Sequence, residues 1–259
     1  MPIDLFAAGS PQTLVLFAAR VGGLVLVAPI FSAKAIPTTV KTAIIVLLTI
    51  LLQPMVFAQM TAIPQVTPET FVGETLVGFA LGLGAALLIG AANVAGDLMG
   101  MQIGLSGAAI LDPINNSSEN VLGTFGNLFA LAMLLAVDAH LVMIDALARS
   151  VHLIPIGSGL HPEGLRAMVR GASLLFGLGL QFAAPVIAAT IIANTALAIL
   201  SRAAPQLNIL SVAFPVQIGI GLVALSASIP FVGAFYRGWS GVYANGLDRV
   251  FTALSRGAP

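Results

Sequence analysis

The 259-residue chain is 58% apolar and only 8% charged, where soluble domains carry about 25% charged residues. So few charges cannot cover a soluble surface, and the composition is that of an integral membrane protein rather than a soluble enzyme. Ten basic and ten acidic side chains cancel without clustering, and there is no cysteine; this excludes nucleic-acid binding, disulfides, thiolate metal sites and cysteine nucleophiles.

Met1-Pro2-Ile3-Asp4-Leu5 has no basic n-region, so the first apolar segment is expected to stay in the mature protein. Six apolar stretches follow: 13–31, 42–60, 71–95 with room to continue past Asp97, 121–148, 171–200 and 209–236. Each is long enough to cross a hydrocarbon core of about 30 Å as a helix. Lipid offers no hydrogen bonds to the backbone, so helices are the expected form. The alternation of a transmembrane barrel is absent. The expected fold is therefore all-α, with about six apolar helical segments.

Several residues inside these stretches do not suit lipid. Arg20 lies within the first, where a lipid-facing charge costs roughly 2.5–3.5 kcal/mol on insertion scales. It either snorkels to an interface or pairs, with Glu74 and Asp97 as candidates. Pro185 and Pro215 each remove a helix hydrogen bond and are expected to break helices; Asn194 sits in a long uncharged run. Basic residues do not choose an orientation either. Alternating spans place Lys34 and Lys41 on one side with Asp97, Asp112 and Glu119, while Arg149, Arg166, Arg170, Arg237, Arg249 and Arg256 fall on the other. Either the span count is off by one, or the helices are not a conventional bundle and are sheltered by protein. Gly78/Gly82, Ala86/Gly90, Gly100/Gly104 and Ala184/Ala188 are spaced for close helix approach, most densely over 78–90.

Three places could carry chemistry. Asp138 and Asp145, seven residues apart near the end of the fourth stretch, are expected to share a helix face, with His140 between them and Arg149 four residues beyond Asp145. They form either a proton relay or the polar end of a helix. No metal-ligand spacing surrounds His152 or His161, and no catalytic or nucleotide motif occurs, so no cofactor is implied. The run Leu105, Ser106, Gly107, Ala108, Ala109, Ile110, Leu111, Asp112 is too apolar for a plain connector. It either lines or blocks a passage, or packs as a helix end. Beyond 236, Trp239, Tyr243, Val250, Phe251 and Leu254 make an amphipathic tail, fit for an interface or a partner helix.

The motif Arg202-Ala203-Ala204-Pro205-Gln206-Leu207-Asn208-Ile209, followed by Phe214-Pro215, resembles the FliR family, the R component of the flagellar type III export gate, which has injectisome cousins. Arg20, Pro29, Phe31, Ile36-Pro37, Lys41, Gly78 to Gly82, Gly104-Leu105-Ser106 and Asp112-Pro113 match in order, so the resemblance covers nearly the whole chain. It implies a P-like helical part over 1–170, a Q-like helical hairpin over 171–236 and a tail over 237–259. It implies a non-enzymatic subunit in the bacterial inner membrane, at the flagellar basal body, within a lipid membrane. The implied partners are P-type and Q-type gate subunits, B-type and A-type export components, and unfolded export substrates. The loop near 104–118 is implied to plug the channel, and the Pro205-Gln206-Leu207-Asn208 turn to set the angle between the last two helices. Family members often carry an aromatic residue where this chain has Gly107. A rival reading from the residues is a secondary transporter that binds a coupling ion at Asp138, Asp145 or Glu74.

Overall fold

A computed structural model describes residues 10–33, 36–60, 63–104, 121–157, 162–204, 206 and 209–255; within these, the side chains of 10, 162–176, 209–211, 240, 242, 244 and 246–255 are not described. The described residues form helices and connections without strands. In chain order the helices are α1 (Ser10–Val27), α2 (Pro29–Ser32), α3 (Thr38–Ala58), α4 (Pro68–Ile103), α5 (Val121–Ala136), α6 (Ala139–Leu153), α7 (Pro162–Ala203) and α8 (Ile209–Ser255). The protein is all-α, as its composition requires.

Local chemistry explains most of the boundaries. Pro68 opens α4 at a position where its missing N–H is not needed. Thr67 caps that helix reciprocally with Thr70: each hydroxyl accepts the other's backbone N–H, at 3.1 and 2.9 Å. Glu69 adds a negative charge in the first turn, where the helix dipole favours it. At the far end Gly104 takes φ +82°, a conformation that suits glycine and stops the helix.

Several boundaries differ from those expected. The first stretch ends its main helix at Val27, and Pro29 starts a separate turn of helix. The third stretch does continue past Asp97, to Ile103. The fourth is not one helix: α5 and α6 are separated at Val137 and Asp138, where Asp138 takes a left-handed φ of 54°. Aspartate tolerates that conformation better than most residues. The break removes the shared face expected of Asp138 and Asp145. Pro185 and Pro215, expected to break helices, lie inside continuous α7 and α8, as do Pro54 in α3 and Pro230 in α8. The sixth stretch runs on without interruption into residues 237–255.

Among the described residues, four helices are long and apolar enough to cross a membrane: Thr38–Ala58, Pro68–Ile103, Gly177–Ala203 and Val212–Trp239; the bent pair α5 and α6 counts as a fifth if taken as one span. This is fewer than six because α1 is short and the fourth stretch is split.

The chain divides into two compact units, residues 1–87, 134–172 and 239–259, and residues 88–133 and 173–238. In the first unit, Leu16, Phe17, Val21 and Leu24 of α1 are buried, as are Val77 and Leu81 of α4 and Met143 and Leu147 of α6. The backbones of α1 and α4 meet here: a methyl group at Gly78 would collide with the Arg20 carbonyl, one at Gly23 with the Thr75 carbonyl, and one at Gly82 with Ala28. The Gly78/Gly82 spacing is thus a helix contact, of the kind small residues allow. In the second unit, Ala95, Met99, Ile103, Leu122, Ala183 and Val186 form the core. Gly96 packs on the backbone at Leu122, and Gly126 on the Ala92 carbonyl, so α4 and α5 also approach through glycine.

Candidate functional site

Arg20 is fully buried and does not snorkel. Its Nε donates to Glu74 Oε2 at 2.6 Å, one terminal nitrogen to Ser150 Oγ at 3.1 Å, and the other to the Ile154 carbonyl at 3.0 Å. The second oxygen of Glu74, Oε1, accepts the Gly157 backbone N–H at 2.8 Å. Ser150 in turn donates to the Leu147 carbonyl. Glu74, and not Asp97, is therefore the partner of Arg20. Arginine suits the place because its planar fork reaches three acceptors in different directions. The network ties α1, α4, the end of α6 and the connection at 154–157 together. Gly157 (φ +87°) lies against Pro64, which closes the same corner.

The last turn of α4 is held differently. Gln217 Nε2 donates to the Gln102 carbonyl at 2.5 Å, one of the terminal carbonyls that the helix itself leaves unpaired. A methyl group at Gly104 would meet the Phe214 ring at 3.5 Å, and Gly221 lies directly against the Ile103 side chain. Phe214, Gln217 and Gly221 occupy successive turns of one α8 face. The structure thus brings Phe214, from the family-like motif, to Gly104, the first residue of the candidate plug region.

The rest of the expected set is scattered. Leu105, Ser106, Gly107, Ala108, Ala109, Ile110, Leu111 and Asp112 lie outside the described residues, as do Pro205 and Asn208. Arg202 is exposed in the last turn of α7, Gln206 is an exposed turn residue, and Pro215 is exposed within α8. The three candidate carboxylates have separate surroundings. Glu74 is consumed by Arg20 and Gly157; Asp145 pairs with Arg149 at 2.8 Å on an exposed face; Asp138 is exposed at the α5–α6 break. That is the polar helix end, and it gives no support to a relay through Asp138.

Sequence reasoning missed Ser150, Gly157 and Gln217, all ordinary residue types with no motif around them. It also missed Tyr243 as an anchor. The Tyr243 hydroxyl donates to the Leu81 carbonyl at 2.6 Å, its ring stacks on Trp239 and lies over Gly84. The amphipathic tail therefore packs on this chain's own α4 at that point.

Residues 12–240 match the family model described as bacterial export proteins, family 1. The chain belongs to this family. Flagellar biosynthetic protein FliR of Pectobacterium carotovorum is 34% identical over 218 residues, covering 83% of this chain and 84% of the relative. The FliR protein of Escherichia coli K12 is 31% identical over 227 residues, with the same shares covered. That of Aquifex aeolicus is 29% identical over 234 residues, covering 85% and 86%. The matches extend over most of each FliR chain, and with the apolar helices they make this a FliR-family membrane protein of the flagellar export class.

Proposed function

We propose that this chain is a non-enzymatic subunit of the flagellar type III export gate in the bacterial inner membrane. It helps form the channel through which unfolded flagellar proteins leave the cell, and it assembles with P-type and Q-type gate subunits beside B-type and A-type components at the basal body. The run from Leu105 to Asp112 plugs that channel at rest by filling it with apolar side chains. Residues 1–170 are the P-like part and 171–236 the Q-like hairpin, whose two helices meet at an angle set by the turn at Pro205, Gln206 and Asn208.

The observation that carries this reading is the polar groups left bare on α7 and α8. Only 22% of the apolar window in Gly177–Ala203, and 11% of that in Val212–Trp239, is buried within the chain. Gln181, Asn194 and Arg237 are exposed on these membrane-length helices. Pro185, Pro215 and Pro230 each leave an upstream carbonyl without its helix partner. Lipid satisfies none of these groups, whereas neighbouring helices or a water-filled passage do.

The test is native mass spectrometry of the tagged chain, purified in mild detergent from its own host. One copy within a large assembly of small helical membrane proteins is the expected result. A monomer or homodimer that stays intact alone would overturn the reading and return attention to a transporter.

A further inference from the structure

We infer that α7 carries a docking point at Gln181 for one membrane helix of another polypeptide, and that this helix presents a neutral polar side chain that both donates and accepts hydrogen bonds. The inference rests on the export-gate reading and deepens it by naming where a neighbour sits and what it must carry. α7 buries one stripe within its compact unit, at Gly179, Ala183, Val186 and Thr190. With 3.6 residues per turn, Gln181, Ala184 and Ala188 fall on the opposite face, and all three are exposed. Residue 181 stands inside a run without charge from 171 to 201, where a bilayer core satisfies neither an amide nor a free backbone group. Both occur at this one position. The side chain is an amide, and the Gln181 carbonyl is the one that loses its helix partner to Pro185, four residues on. Together they offer two acceptors, the backbone carbonyl and Oε1, and one donor group, Nε2. Lipid tails meet none of these. A carboxylate or an ammonium is also a poor match, because the amide offers it no opposite charge. A side-chain amide or hydroxyl donates to a carbonyl here and accepts from Nε2. Ala184 and Ala188 follow over the next two turns and project nothing beyond Cβ, so a second helix backbone comes within hydrogen-bond reach.

The experiment uses the full chain in its own host. A photo-reactive residue replaces Ile192, which is exposed on the same face about three turns beyond Gln181, and incorporation is read by pull-down of the export assembly. The expected adduct joins this chain to one different membrane polypeptide, whose captured helix carries a Ser, Thr, Asn or Gln about three turns from the adduct. Gln181→Leu should cut incorporation several-fold, and Gln181→Asn should recover part of the loss. Leucine in place of the captured polar residue should cut incorporation to the same extent. Combining the two leucines should cost nothing further, because one contact is then removed twice. A lipid adduct, or none, would overturn the docking point, and an adduct of two copies of this chain would overturn the choice of partner. Additive losses would overturn the pairing, as would a Gln181→Leu variant that incorporates like wild type. If Gln181→Leu does not accumulate in the membrane, the adduct decides alone: a captured helix with only aliphatic side chains at that level sinks the proposal. A chain that purifies outside any assembly removes the export-gate reading itself, whereas one copy inside the assembly with a lipid adduct removes only the docking point.

Discussion

Arg20 is the residue whose placement costs most, because its charge sits with no exposed surface in a mostly apolar unit. What makes it tolerable is complete use: three nitrogens donate to three acceptors, and the facing carboxylate spends its second oxygen on Gly157. A buried pair adds little net stability over an apolar pair, but breaking it by removing one partner costs about 3–5 kcal/mol. Arg20→Ala and Glu74→Ala should therefore each lower the unfolding temperature of the purified assembly and the amount of chain in the membrane. Arg20→Met combined with Glu74→Leu should recover much of the loss. Thermal unfolding and membrane immunoblots check this, and a double variant worse than both singles would show that the pair has a role beyond its own neutralisation. Arg20→Lys should not rescue, since one ammonium cannot reach three separated acceptors. Tyr243→Phe is a milder case. It removes one buried hydrogen bond to Leu81 and leaves the ring on Gly84, so a loss of about 1 kcal/mol is expected in the same unfolding experiment.

At the scale of the element, the break between α5 and α6 is set by a single left-handed residue. Asp138 is exposed and makes no capping bond through its side chain, so its carboxylate is dispensable while its conformation is not. Asp138→Asn and Asp138→Gly should leave flagellar assembly near wild type, since both residues accept φ near 54°. Asp138→Val should cost about 1–2 kcal/mol of backbone strain and reduce motility on soft agar. Equal motility of the Asn and Val variants would mean the break tolerates any residue. This element also marks what the sequence could tell. Apolar runs and their lengths place α3, α4, α7 and α8, because burial and lipid both demand long uncharged helices. The break at 138 carried no glycine or proline, so nothing in the pattern distinguished it from the middle of a helix. Conversely Pro185 and Pro215 looked like breaks and were not. A proline costs one hydrogen bond and a kink, which a helix of 42 or 47 residues survives. The Arg20–Glu74 pair was legible as a misplaced charge with two candidate acids. Its other members were not, because Ser150 and the backbone groups at Ile154 and Gly157 become acceptors and donors only once α6 returns to α1.

The whole molecule is built as if part of its core were missing. The unit made of residues 88–133 and 173–238 buries one narrow stripe of α7, at Gly179, Ala183, Val186, Thr190 and Ala193, and leaves Ile191, Ile192, Ile199, Val223 and Phe231 exposed. Lipid could cover those apolar side chains at no cost, so their exposure alone requires no partner. The polar groups on the same helices decide the matter. Asn194 and Gln181 are exposed with them, and a bilayer core satisfies no amide. An unpaired polar group on a membrane helix leaves the chain reliant on neighbours for its lifetime, because a partly satisfied protein is drawn off by cellular proteolysis. In a host lacking the other flagellar export proteins, the half-life of this chain should fall several-fold, measured by pulse-chase immunoblotting of the membrane fraction. Replacing Gln181 and Asn194 together by Leu should restore much of that half-life in the partner-free host, while weakening incorporation when the partners are present. If the chain is equally long-lived without its neighbours, lipid alone suffices for these faces and the amides do not mark where another helix belongs.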